Sequence, residues 1–207
     1  MAEALTYDSL VSDIQLYAER SDEPFVTQIP RFIMLAENRL ASEAKGLGFL
    51  RVSSFTLSAA LTDKPARWRE TKQLMITNSA GVKALYSRGY AYCRTYWPDQ
   101  ALLAEPKFYA DYDYEHFLVV PTPDQSYTAE ISYYEKPTPL SSTDKTNWTT
   151  QYAPQLLLYA CLLEAQPFLK LPERIAEFQT LYDRALQALK GEDVSRISDA
   201  ASNRSEG

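Results

Sequence analysis

The chain has 207 residues, 45% of them hydrophobic, with 21 basic and 27 acidic side chains and a formal charge of −6. That length and apolar content suffice for one large domain, or for a core that carries an inserted subdomain. The acidic balance excludes bulk attraction to nucleic acid or to an anionic membrane surface, and two cysteines, Cys93 and Cys161, are too few for a disulfide framework.

The opening "MAEALTYDSL" has neither a basic start nor a long apolar stretch, so no secretory signal is expected and the chain is expected to fold in a reducing cytoplasm. After "TYDS", the residues Leu10, Val11, Ile14 and Tyr17 recur at helical spacing and predict an amphipathic helix from about Tyr7 to Glu19, broken by "RSDEP". A second apolar stripe, Ile29, Phe32, Ile33, Ala36 and Leu40, predicts another helix with Pro30 in its first turn. Glu37, Arg39 and Glu43 are expected on its solvent face, and Gly46 and Gly48 are expected to turn the chain at its end.

From about Arg51 the period shortens from helical to two. "RVSSFTLS", "ARWRETKQLMIT", "VKALYSRG", "YAYCRTYW", "KFYADYD", "EHFLVVPTP" and "YTAEISYYEKP" predict short strands, separated by turn residues such as Asp63, Pro65, Gly81, Gly89 and Pro98. Their number and spacing point to an antiparallel sheet or small sandwich over residues 51–150. The chain then returns to helices. Pro154 opens "PQLLLYACLLEAQPFLK", apolar around most of its circumference, and Pro172 opens an amphipathic helix expected to stop at Gly191. The run "LLLYACLLEA" is about half the roughly 20 residues that a bilayer span needs, so no membrane crossing is expected. The ending "EDVSRISDAASNRSEG" has no usable apolar period and is expected to be a flexible arm over residues 192–207.

The fold class predicted by this order is α+β: a four-helix core made by the N-terminal helices, residues 1–50, and the C-terminal helices, residues 151–191, with an inserted antiparallel β subdomain between them.

Candidate chemistry is sparse. The single histidine, His116, adjoins Phe117 in a predicted strand with no nucleophile or ligand spacing around it, and Cys161 sits in an apolar helical run where a buried thiol is the plain interpretation. No GxGxxG or GxxxxGK[ST] stretch is present to cradle phosphate. Asp111, Asp113 and Glu115 alternate, which on a fully extended strand would put three carboxylates on one face as a cation site or an acidic hydrolase site; the same "DYDYE" also suits a solvated hairpin tip, and no metal site or catalytic group is assigned from it.

Tyrosine is the outlier, with 15 copies, many of them in the β region: Tyr86, Tyr90, Tyr92, Tyr96, Tyr109, Tyr112, Tyr114, Tyr127, Tyr133 and Tyr134. An aromatic ring with a polar tip serves both a half-buried sheet and a contact surface. Tyr92, Tyr96, Trp97, Tyr112 and Tyr114 are the candidate partner-binding residues of the β region.

Three blocks together resemble a known family. "TYDSLVSDIQLYAERSDEPFVTQIPRFIMLAENRLASE", then "FLVVPTPDQSYTAEISYYEKPTPLS", then "NWTTQYAPQLLLYACLLEAQPFLK" with the aromatic helix after it, are similar in kind and order to the head-to-tail adaptor proteins of tailed bacteriophages, including those called tail tubular protein A in podoviruses. The resemblance spans roughly Thr6 to Lys190. It implies a non-enzymatic virion protein with no cofactor, about a dozen copies of which form a ring between the portal and the tail nozzle or tube and line the DNA channel without binding DNA specifically. It also implies that the C-terminal arm docks on the portal, with Val194 and Ile197 as anchors and Arg196 and Arg204 as charge contacts. The competing expectation is a monomeric cytoplasmic module that uses the β region to hold a ligand or peptide.

Overall fold

The computed structural model describes residues 4–44, 46–170 and 172–202, with side chains described except at 47, 172 and 195–202. It is a mixed α+β structure in two compact units. One comprises residues 1–49 and 136–207, the other residues 50–135.

The helical unit opens with α1 (Tyr7–Ala18), capped by Thr6, whose Oγ1 accepts from the Ser9 amide while Ser9 Oγ accepts from the Thr6 amide. The expected break holds a short helix, α2 (Glu23–Val26), with Pro24 in its first turn. It is followed by α3 (Ile29–Glu43), with Pro30 in its first turn. At the end of α3, Gly48 is needed for close approach: a Cβ there would meet the Trp148 ring at 2.0 Å.

The central element of this unit is α6 (Pro154–Leu169), preceded by a short α5 (Trp148–Tyr152); α4 (Tyr90–Tyr96) belongs to the β unit. Helix α6 packs against α1, α3 and the C-terminal helix α7 (Ile175–Ser202). That explains its apolar circumference, since Leu156, Leu157, Ala160, Cys161, Leu162, Leu163 and Ala165 are all buried.

Two expectations are corrected here. Helix α7 runs through Gly191 to Ser202, so the segment expected to be a flexible arm is helical as far as Ser202. A glycine stops a helix by adopting positive φ, and Gly191 does not; in a right-handed helix it costs about 1 kcal/mol and no more. The residues 136–150 group with the helices and not with the β region, which ends at Glu135.

The β unit is one seven-stranded curled sheet with the order β1-β7-β3-β4-β5-β6-β2. Its strands are β1 (Leu50–Leu57), β2 (Leu61–Asp63), β3 (Trp68–Asn78), β4 (Gly81–Ser87), β5 (Phe108–Asp111), β6 (His116–Val120) and β7 (Tyr127–Glu135). Strand β7 lies between β1 and β3, with Leu57 opposite Tyr127 and Ile131 opposite both Ser53 and Leu74. Alternate residues point inward: Leu57, Leu74, Ile76, Leu85, Phe117, Val119 and the β7 set Tyr127, Ala129, Ile131 and Tyr133 share one core.

The sheet is not wholly antiparallel. Strands β4 and β5 run parallel, Tyr86 beside Phe108, because the chain between them makes a crossover containing α4 (Tyr90–Tyr96). "YAYCRTYW" was expected to be a strand, and its tyrosines do suit one by propensity. Burial decides otherwise: Cys93 goes into a second, outer cluster with Ala110, Leu118 and Val120, and Tyr92 and Tyr96 stand one helical turn apart.

Candidate functional site

The outer face of α4 and β5 carries a continuous aromatic surface. The rings of Tyr92 and Tyr96 are stacked at 6.1 Å with 7° between their planes, and both meet the Phe108 ring edge-on, at 5.4 Å and 4.9 Å. Trp97 continues the row, 6.5 Å from Tyr96, and is fixed by its indole N–H donating to the Leu102 carbonyl at 3.1 Å. The Arg88 guanidinium lies 5.8 Å from Tyr92 and 5.7 Å from Phe108, close enough for cation–π attraction. Beside this row Tyr90 and Tyr112 form an edge-to-face pair at 5.8 Å.

The structure therefore brings Tyr92, Tyr96 and Trp97 together and pairs Tyr112 with Tyr90. Tyr114 lies at the β5–β6 turn, 75% exposed. Tyr92 remains 46% and Tyr96 38% exposed although each is held by neighbouring rings. Such rings have already lost much of their rotamer freedom, so a partner that covers them gains aromatic area at low entropic cost. Sequence inspection did not single out Phe108 and Arg88, which complete the cluster. The signal for Phe108 was its neighbour Tyr109, since one of two adjacent aromatics on a strand must face outward.

The acidic alternation does not form a cation site. Asp111 ends β5 and pairs with Lys64 at 3.1 Å, and the Lys64 ammonium also donates to the Asp113 carbonyl at 2.7 Å. Asp113 caps the hairpin, accepting from the amides of Glu115 and His116 and meeting the His116 ring at 2.8 Å. Partial loss of solvent raises the Asp113 carboxyl, but the His116 ring and these two amides outweigh it and hold the group below its ordinary range. Among the described residues no group of three His, Cys, Asp or Glu side chains could hold a metal ion. Cys161 is buried, and burial pushes its thiol well up, away from the reactive thiolate.

The helical unit holds a polar clamp that sequence analysis placed on the wrong face. Glu37 is buried, 7% exposed, and accepts from the Leu140 amide at 3.1 Å and from Asn147 Nδ2 at 2.8 Å. Asn147 also caps α5, its Oδ1 accepting from the Thr149 and Thr150 amides. One carboxylate thus ties the segment entering α5 to the middle of α3. Burial drives the Glu37 carboxyl up to about 7 against the opposing hydrogen bonds from Leu140 and Asn147. Its position one turn after Ile33 and one before Leu40 was the available signal. Arg39 does remain partly exposed, pairing with Glu164 of α6 at 2.6 Å, and Glu43 accepts from the buried Tyr182 hydroxyl of α7 at 2.8 Å.

Of the expected portal contacts, Val194 is 65% exposed on α7. Arg196 and Ile197 occupy positions on the same helix, but their side chains lie outside the described residues, as does Arg204 altogether.

The chain thus combines a helical unit built around one buried helix with an inserted sheet that displays a supported aromatic surface. The family model of the SU10 adaptor protein matches residues 5–205, and the chain belongs to that family of bacteriophage head-to-tail adaptors, structural components of the virion. Comparison with curated proteins gives no match. No described helix is long and apolar enough to cross a membrane.

Proposed function

We propose that this adaptor acts without catalysis as a ring of about a dozen copies between the portal and the tail nozzle or tube, resembling the podovirus tail tubular protein A, with its inner wall lining the DNA channel. The observation that carries this reading is the family match over residues 5–205. The four long helices form the body, and their faces bury one another across the two ends of the chain.

The aromatic surface of Tyr92, Tyr96 and Trp97, with Tyr112 and Tyr114 near it, grips the tail or the neighbouring subunit. The end of α7 and the residues after it, through Val194, Arg196, Ile197 and Arg204, engage the portal. A net charge of −6 suits a conduit, because an acidic wall repels phosphate where a basic wall would bind it through counterion release. DNA passes without specific binding.

Mixing the purified chain with the portal and imaging the product tests the proposal: a closed ring on the portal is expected. Removing residues 192–207 should abolish attachment while the circular dichroism of the remainder stays helical, and undiminished attachment would refute the portal role. Duplex DNA should bind weakly and with little dependence on salt.

A further inference from the structure

The seven-stranded sheet curls around one core without closing. Among the described residues its two end strands, β1 and β2, each have a paired neighbour on one side only. They are consecutive in the chain, Leu57 and Leu61 being separated by residues 58–60. Along them lies a cleft of about 510 Å³, lined by residues 53–56 of β1, by residues 61–63 of β2, and by the connecting and following residues 58, 59, 64 and 65.

Inner-face side chains meet the cleft. Ser53 and Phe55 stand opposite Ile131 and Ala129 of β7, and Thr62 stands opposite Phe117 of β6, all three partners being core residues. Phe55 and Trp68 pack on that core yet stay only partly buried, and Lys64, which lines the cleft, lies over the Trp68 ring at 3.8 Å.

We propose that this cleft takes an extended segment of another virion polypeptide by strand addition, pairing with β1 on one side and β2 on the other and completing the curl. Each end strand directs a row of backbone N–H and C=O groups away from its one neighbour. Two such rows flanking a cleft are satisfied by an extended polypeptide, and not by a helix, a lipid or a nucleic acid. The four β1 residues along the cleft set the length of the paired segment, about four residues or ~13 Å at ~3.3 Å per residue.

The lining sets the segment's character. Its hydroxyls, from Ser53, Ser54, Thr56, Ser58 and Thr62, carry no charge, Lys64 is already paired with Asp111, and Asp63 at the β2 side is an exposed carboxylate. The added segment is therefore free of acidic residues, with an apolar residue facing Phe55. The adaptor family places this chain among other virion components, so the proposed donor is a different virion protein.

This inference rests on the adaptor reading, and the test separates the two. In phage particles carrying Ser54→Cys, an exposed position on β1, a short thiol-directed photocrosslinker should join the chain to one extended stretch of another virion protein, identified by peptide mass spectrometry. The native cysteines Cys93 and Cys161 are buried, and Lys72→Cys on the exposed side of β3 is the control that should not reach that stretch. Amides of β1 should exchange at least about tenfold more slowly in the particle than in the isolated protein.

A ring present at the portal vertex with no crosslink and unchanged β1 exchange overturns the strand-addition proposal and leaves the adaptor reading standing. A crosslink to a second copy of this chain overturns the choice of donor. Absence of the chain from particles overturns both. If Ser54→Cys particles fail to assemble, Thr56→Cys on the same exposed side makes the same measurement.

Discussion

The two units differ in where their exposed aromatic residues gather. In the helical unit the buried apolar side chains gather around α6, Leu16, Met34, Tyr152 and Val194 stay exposed, and three charged groups tie elements together: Glu37 to Leu140 and Asn147, Arg39 to Glu164, Glu43 to Tyr182. The β unit closes its inner core with Leu, Ile and a few tyrosines but leaves Tyr86, Tyr90, Tyr92, Tyr96, Tyr112 and Tyr114 substantially exposed. Burial in the first unit contributes to stability, whereas the exposed tyrosines of the second unit are the area proposed for association. Substitutions should therefore separate the two: folding losses from the helices, assembly losses from the sheet.

The largest stability effect is expected at the centre of the helical unit. Leu157→Ala, at a fully buried position on α6, should cost about 2–5 kcal/mol in chemical denaturation. A loss below about 1 kcal/mol would mean that α6 is not the element on which the unit closes.

Next comes Glu37, through pH. Its carboxyl sits near 7 when folded against an ordinary value of 4.5, so between those values the folded chain keeps a proton that the unfolded chain has released. Raising pH then favours unfolding: wild-type stability measured against Glu37→Gln should fall from about pH 4.5 to about pH 7, by up to ~1.4 kcal/mol per pH unit, and level off above. A difference that does not change with pH would show that Glu37 ionises normally and is not buried in solution.

Gly48→Ala should cost about 1–3 kcal/mol, because the added methyl overlaps the Trp148 ring and either α5 or the turn must give way. Thermal unfolding with tryptophan fluorescence reads both the loss and the displaced ring.

The smallest stability effect belongs to the β unit's surface and sharpens the contrast most. Tyr114→Ala should change folding by no more than about 0.5 kcal/mol. Tyr92→Ala, which also gives up its contacts with Tyr96 and Phe108, should cost about 1 kcal/mol. Both should lower the yield of assembled rings or tails in a reconstitution assay. Normal assembly with both tyrosines removed would strip the aromatic surface of its proposed role.

Much of this architecture was readable from spacing. Pro30 and Pro154 marked helix starts, the stripe from Ile29 to Leu40 marked the buried face of α3, and the alternation in "YTAEISYY" marked the strand at the middle of the four-strand run β1, β7, β3 and β4. The tyrosines of the candidate surface were also singled out by composition alone. What spacing missed has specific causes. "YAYCRTYW" has strand-like composition, and only the burial of Cys93 against β5 and β6 makes it a helix. Gly191 resembles a stop, but a lone glycine forbids nothing unless its φ turns positive. Glu37 resembles a surface charge until the segment after β7 folds over it.

The sequence by itself determined where the period changes from helical to two and back, because hydrophobic spacing is a local property written residue by residue. The order of strands, the parallel pairing of β4 with β5, the gathering of Tyr92, Tyr96, Trp97 and Phe108 into one surface, and the cleft along β1 and β2 were decided by the tertiary structure. Each of these depends on which distant segments bury one another's backbone and apolar faces, and that is a property of the folded chain as a whole.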